Sequence, residues 1–396
     1  MRNWLLGIFA LVIIAAIGFF ALAPAMVENS MNKVVATPLK ITPEARALHA
    51  TLIVADMHAD SLLWKRDLLT RSTRGQVDLP RLQEGNVALQ IFSSVTKTPK
   101  HQNYESNPAT TDNITMLTIA DLQPPRTWTS LLERSLWHAT KLKRAAAASD
   151  DRLRLITTPA QLDALLEARR TAGFCFHSCR KGPLVGAMLS IEGLQDLEGK
   201  LSNLDILYAA GFRMAGMAHF FDNDVAGSMH GEHKGGLTPL GRQVIAQMEK
   251  LGMVVDVAHA SHETVAEIIA LAKRPIVSSH GGVHATCKVN RNLTDDEIRG
   301  IAKTGGVIGI GYWDAAVCKM TPAAVVDAIA HVRDVAGIDH VGLGSDFDGA
   351  VTTAWDTSQL AAITQALMDR GFSKPDIAKV MGGNVLRVLR AGMVPH

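Results

Sequence analysis

The sequence predicts an α/β protein: a (β/α)8 TIM-like barrel with a helical insertion after its second strand, preceded by an N-terminal transmembrane helix. Three observations predict it. Eight short, almost wholly apolar runs punctuate the chain, helical patterns lie between most of them, and a separate apolar stretch opens the sequence. Runs without polar alternation suit strands buried on both faces of a parallel sheet. Strand alternating with helix is the pattern of a parallel α/β fold, and eight such units close a barrel. An open doubly wound sheet is the structural alternative, but no glycine-rich phosphate fingerprint follows the first run.

Taken in order, Arg2 precedes the apolar stretch Trp4–Ala23. About 20 such residues span a bilayer as a helix, whereas a signal-peptide core usually has about 7–15. Pro24 predicts the end of this helix, and Glu28-Asn29-Ser30 opens a polar segment. Residues 1–27 therefore read as a signal anchor, 28–45 as a linker and 46–396 as the barrel. The expected location is a membrane-anchored protein with its barrel exported to the periplasm or the cell exterior. Ala23-Pro24-Ala25 also has the small residues of a cleavage site, so secretion after cleavage is the alternative. Lys33 and Lys40 balance Arg2 and the amino terminus, which leaves charge silent on orientation.

The strand-like runs are Leu52–Met57, Val87–Ser93, Gly186–Ile191, Phe212–Ala218, Met253–Ala258, Pro275–Ser279, Gly306–Gly311 and His340–Gly344. The segment from 95 to 185 is too long for one crossover. It carries a polar stretch, Thr98–Asn113, and helical patterns at Leu131–Ala148 and Pro159–Arg170, and it forms the insertion. Later helices are expected at Ser261–Lys273, Asp295–Lys303 and Pro322–Val335, each starting near Ser, Thr or Asp.

Lys and Arg number 40 against 38 Asp and Glu, with no basic run, which argues against a nucleic-acid partner. Cys175, Cys179, Cys287 and Cys318 fit an exported protein. Cys175 and Cys179 lack the second nearby pair that a four-ligand zinc site needs. Two structural disulfides are expected instead, 175–179 and 287–318.

The ends of the runs carry the chemistry, because barrel active sites form at the carboxyl ends of the strands. The first run ends Asp56-Met57-His58-Ala59-Asp60, the third in Glu192, the fourth in His219, the fifth in Asp256-Val257-Ala258-His259, the sixth in Ser279-His280 and the eighth in Ser345-Asp346-Phe347-Asp348. Residues two apart on a strand point the same way, so His58 and Asp60 can grip one cation together. His259 and His280 end successive strands and can hold a second, and Glu192 can offer one oxygen to each. Imidazole and carboxylate donors suit two Zn2+ ions, with manganese or iron as other candidates. A water shared by such a pair is activated as a nucleophile. Asp56 and Asp256 read as buried orienting partners and Asp348 as an Asx-type loop cap. Any one of these histidines alone would ordinarily be a hydrogen-bonded structural residue. Five potential ligands converging on one rim would not.

At these residues the sequence resembles the membrane (renal) dipeptidase family, two-zinc peptidases of the amidohydrolase-like barrels. The resemblance runs through Asp56-Met57-His58-Ala59-Asp60, Asp78-Leu79-Pro80-Arg81-Leu82, Ser190-Ile191-Glu192-Gly193, Asn290-Arg291-Asn292-Leu293, Gly344-Ser345-Asp346-Phe347-Asp348-Gly349 and Met381-Gly382-Gly383-Asn384. It implies zinc ligands His58, Asp60, Glu192, His259 and His280. It further implies that His219 contacts the substrate and steadies the tetrahedral intermediate, that Arg291 clamps the substrate carboxylate, and that Asp346 handles protons. The implied activity is hydrolysis of dipeptides, and the implied assembly is a homodimer. Ala258, Gly281-Gly282 and Leu194-Gln195 depart from the family's usual residues and put substrate choice in doubt. The C-terminal run Ala391–His396 has no apolar tail for a lipid anchor, a role that Trp4–Ala23 would take at the other end. A lactonase or cyclic-amide hydrolase on the same dinuclear barrel is the alternative activity, and a non-catalytic tethered barrel the bland one.

Overall fold

Eight parallel strands close on themselves in a computed structural model that describes residues 2–172 and 182–394. They are β1 (Val54–Ala59), β2 (Val87–Val95), β3 (Val185–Glu192), β4 (Phe212–Gly216), β5 (Val254–Asp256), β6 (Val277–Ser278), β7 (Val307–Ile310) and β8 (Val341–Leu343). Each pairs with its neighbours in sequence, and β8 returns to β1 through Leu343 opposite Asp56. The strands are buried almost throughout, which is why the sequence shows apolar runs and no alternation. Met57, Ile91, Met188, Met214 and Val307 pack in one cluster with Val385 and Leu389 of the C-terminal helix Asn384–Gly392. A larger cluster joins strands such as β3 and β4 to surrounding helices, among them Pro239–Leu251 and Pro322–Ala336.

The insertion after β2 contains helices Ile114–Ala120, Leu131–Ala148 and Pro159–Ala172. Its short strand Leu153–Leu155 lies outside the closed ring and pairs parallel with the first residues of β3. Thr98–Asn113 has no helix or extended strand of its own, yet Asn107 bridges to Gly231 and fastens the segment to the loop after β4. Two glycines bring backbones together beneath the β6 end. A Cβ on Gly309 would lie 2.2 Å, and one on Gly344 1.9 Å, from the Ser279 carbonyl oxygen.

The N-terminal helix differs from expectation. It runs from Arg2 to Met31, through Pro24, although an interior proline removes a hydrogen bond and costs about 3 kcal/mol. Residues 28–34, the start of the expected polar linker, are docked on the barrel. Glu28 is buried and accepts from Arg66 Nε at 2.5 Å and Arg74 Nε at 2.6 Å. Arg66 also pairs with Asp348 in the loop after β8. Asn32 Oδ1 accepts from the Ala350 amide at 2.8 Å, and Lys33–Val34 pairs with Thr352–Thr353 as a second, two-stranded sheet. These attachments hold the last helical turns in place and offset the break that Pro24 would otherwise impose.

Cys287 and Cys318 form a disulfide that ties the loop after β6 to the loop after β7, with Cα atoms 5.4 Å apart. Cys175 and Cys179 lie outside the described residues. A cross-link closing a loop of this length restricts the unfolded chain by about 3–4 kcal/mol. The double substitution Cys287→Ser, Cys318→Ser should therefore lower the melting temperature by several degrees, read by calorimetry. An unchanged melting temperature would show that the bridge contributes nothing.

Candidate metal centre and active site

The C-terminal rim of the barrel gathers the side chains that the strand ends present. Glu192, the last residue of β3, stands at the middle. Its Oε2 is 3.3 Å from His58 Nε2, while its Oε1 is 2.9 Å from His259 Nε2 and 3.3 Å from both His280 Nε2 and His219 Nε2. His58 Nε2 is also 3.4 Å from Asp60 Oδ1 and 3.9 Å from Asp346 Oδ1. His259 Nε2 and His280 Nε2 are 2.8 Å apart. Three overlapping triads result, each with potential ligand atoms within 4.8 Å of one another: His58–Glu192–His280, Glu192–His219–His259 and His58–Asp60–Asp346. The structure thus brings all seven predicted rim residues to one place.

The donor set fits cations. Among the described residues, His58 Nε2, Asp60 Oδ1 and Glu192 Oε2 are buried without a hydrogen-bond partner. A buried polar atom left so costs about 1–3 kcal/mol. Here these atoms converge on one another, an arrangement that positive charge between them stabilises.

Buried acceptors beneath the rim fix the ligands. Asp56 accepts from the His58 amide at 3.0 Å and from Gln90 Nε2 and the Ser345 amide and hydroxyl at 3.1 Å each. Asp256 accepts from the amides of Ala258 at 3.0 Å and Ser279 at 2.8 Å. Ser279 Oγ lies 2.9 Å from His280 Nδ1, which leaves Nε2 free for the centre. His259 and Asp346 have φ of 63° and 59°, left-handed values that non-glycine residues adopt at a cost and that turn each chain sharply inward as its strand ends.

The same burial sets the protonation of the site. For Glu192 burial pushes the pKa up, but the imidazoles, His219 and His58 first, outweigh it and hold the group well below the usual carboxylate range. Burial drives His259 and His280 well down, keeping them neutral and able to donate a lone pair. Asp60 is pushed up to about 6 by burial and by the Glu192 charge. Burial likewise carries Asp346 well above the usual range, against the pull of His58.

Arg291, in the loop after β6, reaches the same cavity. Its guanidinium stacks over the Trp313 ring at 4.6 Å and donates to the His280 carbonyl at 3.2 Å, while its buried Nε has no partner among the described residues. His219 holds Nδ1 3.5 Å from the Lys97 carbonyl and points Nε2 toward Glu192. Two contributors were not singled out from sequence. Tyr104, from the polar stretch after β2, lines the cavity and accepts from Trp313 Nε1 at 3.2 Å. Ser279 orients His280. Neither has a sequence signal: an isolated Tyr in a polar segment and a Ser beside a His are both common. His230 supplies the opposite lesson. It is buried, stacked on Phe220 at 4.5 Å and 2.9 Å through Nδ1 from the Tyr104 carbonyl, and it belongs to none of the three triads.

Comparison with known proteins gives the family and the fold. The model for the membrane dipeptidase family (peptidase family M19) matches residues 42–393. Dipeptidase aclJ of Aspergillus oryzae is 29% identical over 364 residues, covering 87% of this chain and 78% of its own. Dipeptidase tcpJ of Claviceps purpurea is 30% identical over 331 residues, covering 81% and 70%. Two crystal structures share the fold. One is a metallopeptidase of Rhodobacter sphaeroides liganded with a phosphinate mimic of L-Ala-D-Ala, with TM-score 0.69 and 23% identity over 86% of this chain and 99% of that one. The other is the probable dipeptidase PvdM of Pseudomonas aeruginosa, with TM-score 0.72 and 22% identity over 88% and 98%.

Proposed function

This chain belongs to the membrane dipeptidase family, peptidase family M19, and on that premise we propose that it hydrolyses dipeptides at a centre of two zinc ions. The observation that carries the reading is the placement of Glu192, whose two oxygens face different imidazoles. His58 and Asp60 would hold one cation and His259 and His280 the other, with Glu192 shared between them. Bound there, the cations would polarise the scissile carbonyl and lower the pKa of water.

The remaining roles belong to side chains. His219 turns its Nε2 to the same oxygen cluster and would steady negative charge developing on the substrate. Asp346, buried beside His58, would pass a proton to the departing amine. Arg291, with its fork already stacked on Trp313, would bind the substrate's free carboxylate, which limits the substrate to one residue beyond the scissile bond. Arg291→Ala is therefore expected to raise KM for dipeptides by about 10–100-fold, the worth of a charge-assisted hydrogen bond, with a smaller effect on kcat. Initial rates across a substrate series measure this, and an unchanged KM would remove Arg291 from substrate binding.

The N-terminal helix is long and apolar enough to cross a membrane, and we read the portion before its docked last turns as a retained anchor for an exported barrel. The experiment that tests the function is metal analysis of purified protein beside assays on L,L- and L,D-dipeptides and on lactones. Two equivalents of zinc with dipeptide turnover support the reading. Turnover of lactones alone would replace it with the other hydrolase.

A further inference from the structure

Two adjacent rows of the N-terminal helix face the barrel mouth. Pro24 and Glu28, one turn apart, and Asn32 just past the helix end are buried and seat the helix there. The next row, Phe19, Ala23, Val27 and Met31, repeats every fourth residue, the spacing that stacks side chains along one helical face. All four line the cavity that also contains Asp60, Glu192, His219, His259, Arg291 and Asp346. The cavity measures about 460 Å3, within the range of about 300–1,000 Å3 that encloses drug-sized ligands and well beyond what two alanines fill.

The chemistry of this space is divided. Charged and imidazole groups occupy the rim of the barrel. Away from them the lining is mostly apolar: the helix row, and a small cluster of Leu63, Trp64 and Ile114 with Leu117 packed against it, with Thr98, Gln102 and Asn113 as polar members. Val27 and Met31 remain 41% and 42% exposed although the turns that carry them are clamped to the barrel. Both line the cavity, where their exposed area is available to a ligand.

We infer that the last turns of the N-terminal helix form a wall of the substrate pocket, and that the enzyme prefers dipeptides bearing a large apolar side chain over those with small ones. The inference rests on the dipeptidase reading of the metal centre. It assigns Val27 and Met31 to specificity: they touch the substrate's side chain, whereas the rim residues touch its backbone. The seating of these turns is independent of the apolar row, because it is made by Glu28 with Arg66 and Arg74 and by Asn32 with Ala350. Trimming the row therefore changes the wall and leaves the clamp.

The test is calorimetric binding of uncleavable phosphinate dipeptide mimics to the full-length, zinc-loaded protein in detergent. One mimic has two methyl side chains, and two others carry a benzyl group at one position or the other. A single methylene in an apolar pocket is worth about 10–200-fold in selectivity. At least one benzyl mimic should bind about tenfold or more tightly than the dimethyl mimic, and Val27→Ala with Met31→Ala should remove most of that ratio. Equal or weaker binding of both benzyl mimics, which needs no variant to measure, overturns the inference, as does a ratio that survives the double substitution. Failure of all three mimics to bind would count against the dipeptidase reading itself and would take this inference with it.

Discussion

Glu192→Ala is expected to abolish dipeptide turnover and metal binding together. Among the described residues, Glu192 is the carboxylate whose two oxygens lie against separate imidazoles, His58 on one side and His259 with His280 on the other. Removing it leaves the imidazoles and Asp60 without the one carboxylate that would serve both cations of the proposed centre. Even outer partners of metal ligands are worth about 10–100-fold in affinity, so a ligand shared by two cations should exceed that. Losing several kcal/mol of charge stabilisation corresponds to about a 1,000-fold or greater fall in kcat. Glu192→Gln keeps the shape but replaces one oxygen by an amide donor, which cannot serve the second cation, and should recover little. Elemental analysis after gel filtration and rates on one good dipeptide measure both effects. A variant that keeps two metal equivalents and normal turnover would refute the centre as described.

Asp346→Asn should behave in the opposite manner, retaining metal and losing rate. The five residues assigned as ligands are untouched by it. The backbone is spared as well, since Asn tolerates the left-handed conformation at φ 59° about as readily as Asp does. What disappears is a proton carrier 3.9 Å from His58, and general acid–base catalysis is typically worth about 100–10,000-fold. The expected signature is a fall in kcat of that size with KM and metal content little changed. Normal kcat would show that another group moves the proton, and loss of a metal equivalent would reassign Asp346 as a ligand.

Most of the barrel was legible because its signals are local. An apolar run followed by an acid or imidazole reports a buried strand and its open end within a few residues, as Val254–Asp256 followed by His259 illustrates. The rim set was readable for the same reason: barrel closure brings consecutive strand ends side by side. What stayed hidden depends on partners far apart in sequence. Glu28 looked like the start of a solvated linker, and its arginine partners lie 38 and 46 residues away. Pro24 carried the usual mark of a helix end, but attachments made after it hold the helix together. Tyr104 reaches Trp313 across 209 residues. No periodicity reports such pairs, because each is fixed only once the loops have been folded over the rim.

The attachment of the N-terminal helix has a consequence for where the enzyme works. Phe19 is the first residue of the helix that lines the cavity, and the helical portion Arg2–Gly18 precedes it. At about 1.5 Å per residue that portion is about 25 Å long, the short end of what the oily interior of a bilayer requires. Under the proposed anchoring, the catalytic body would rest close to the lipid headgroups and would meet peptides skimming along that surface sooner than those dispersed in bulk water.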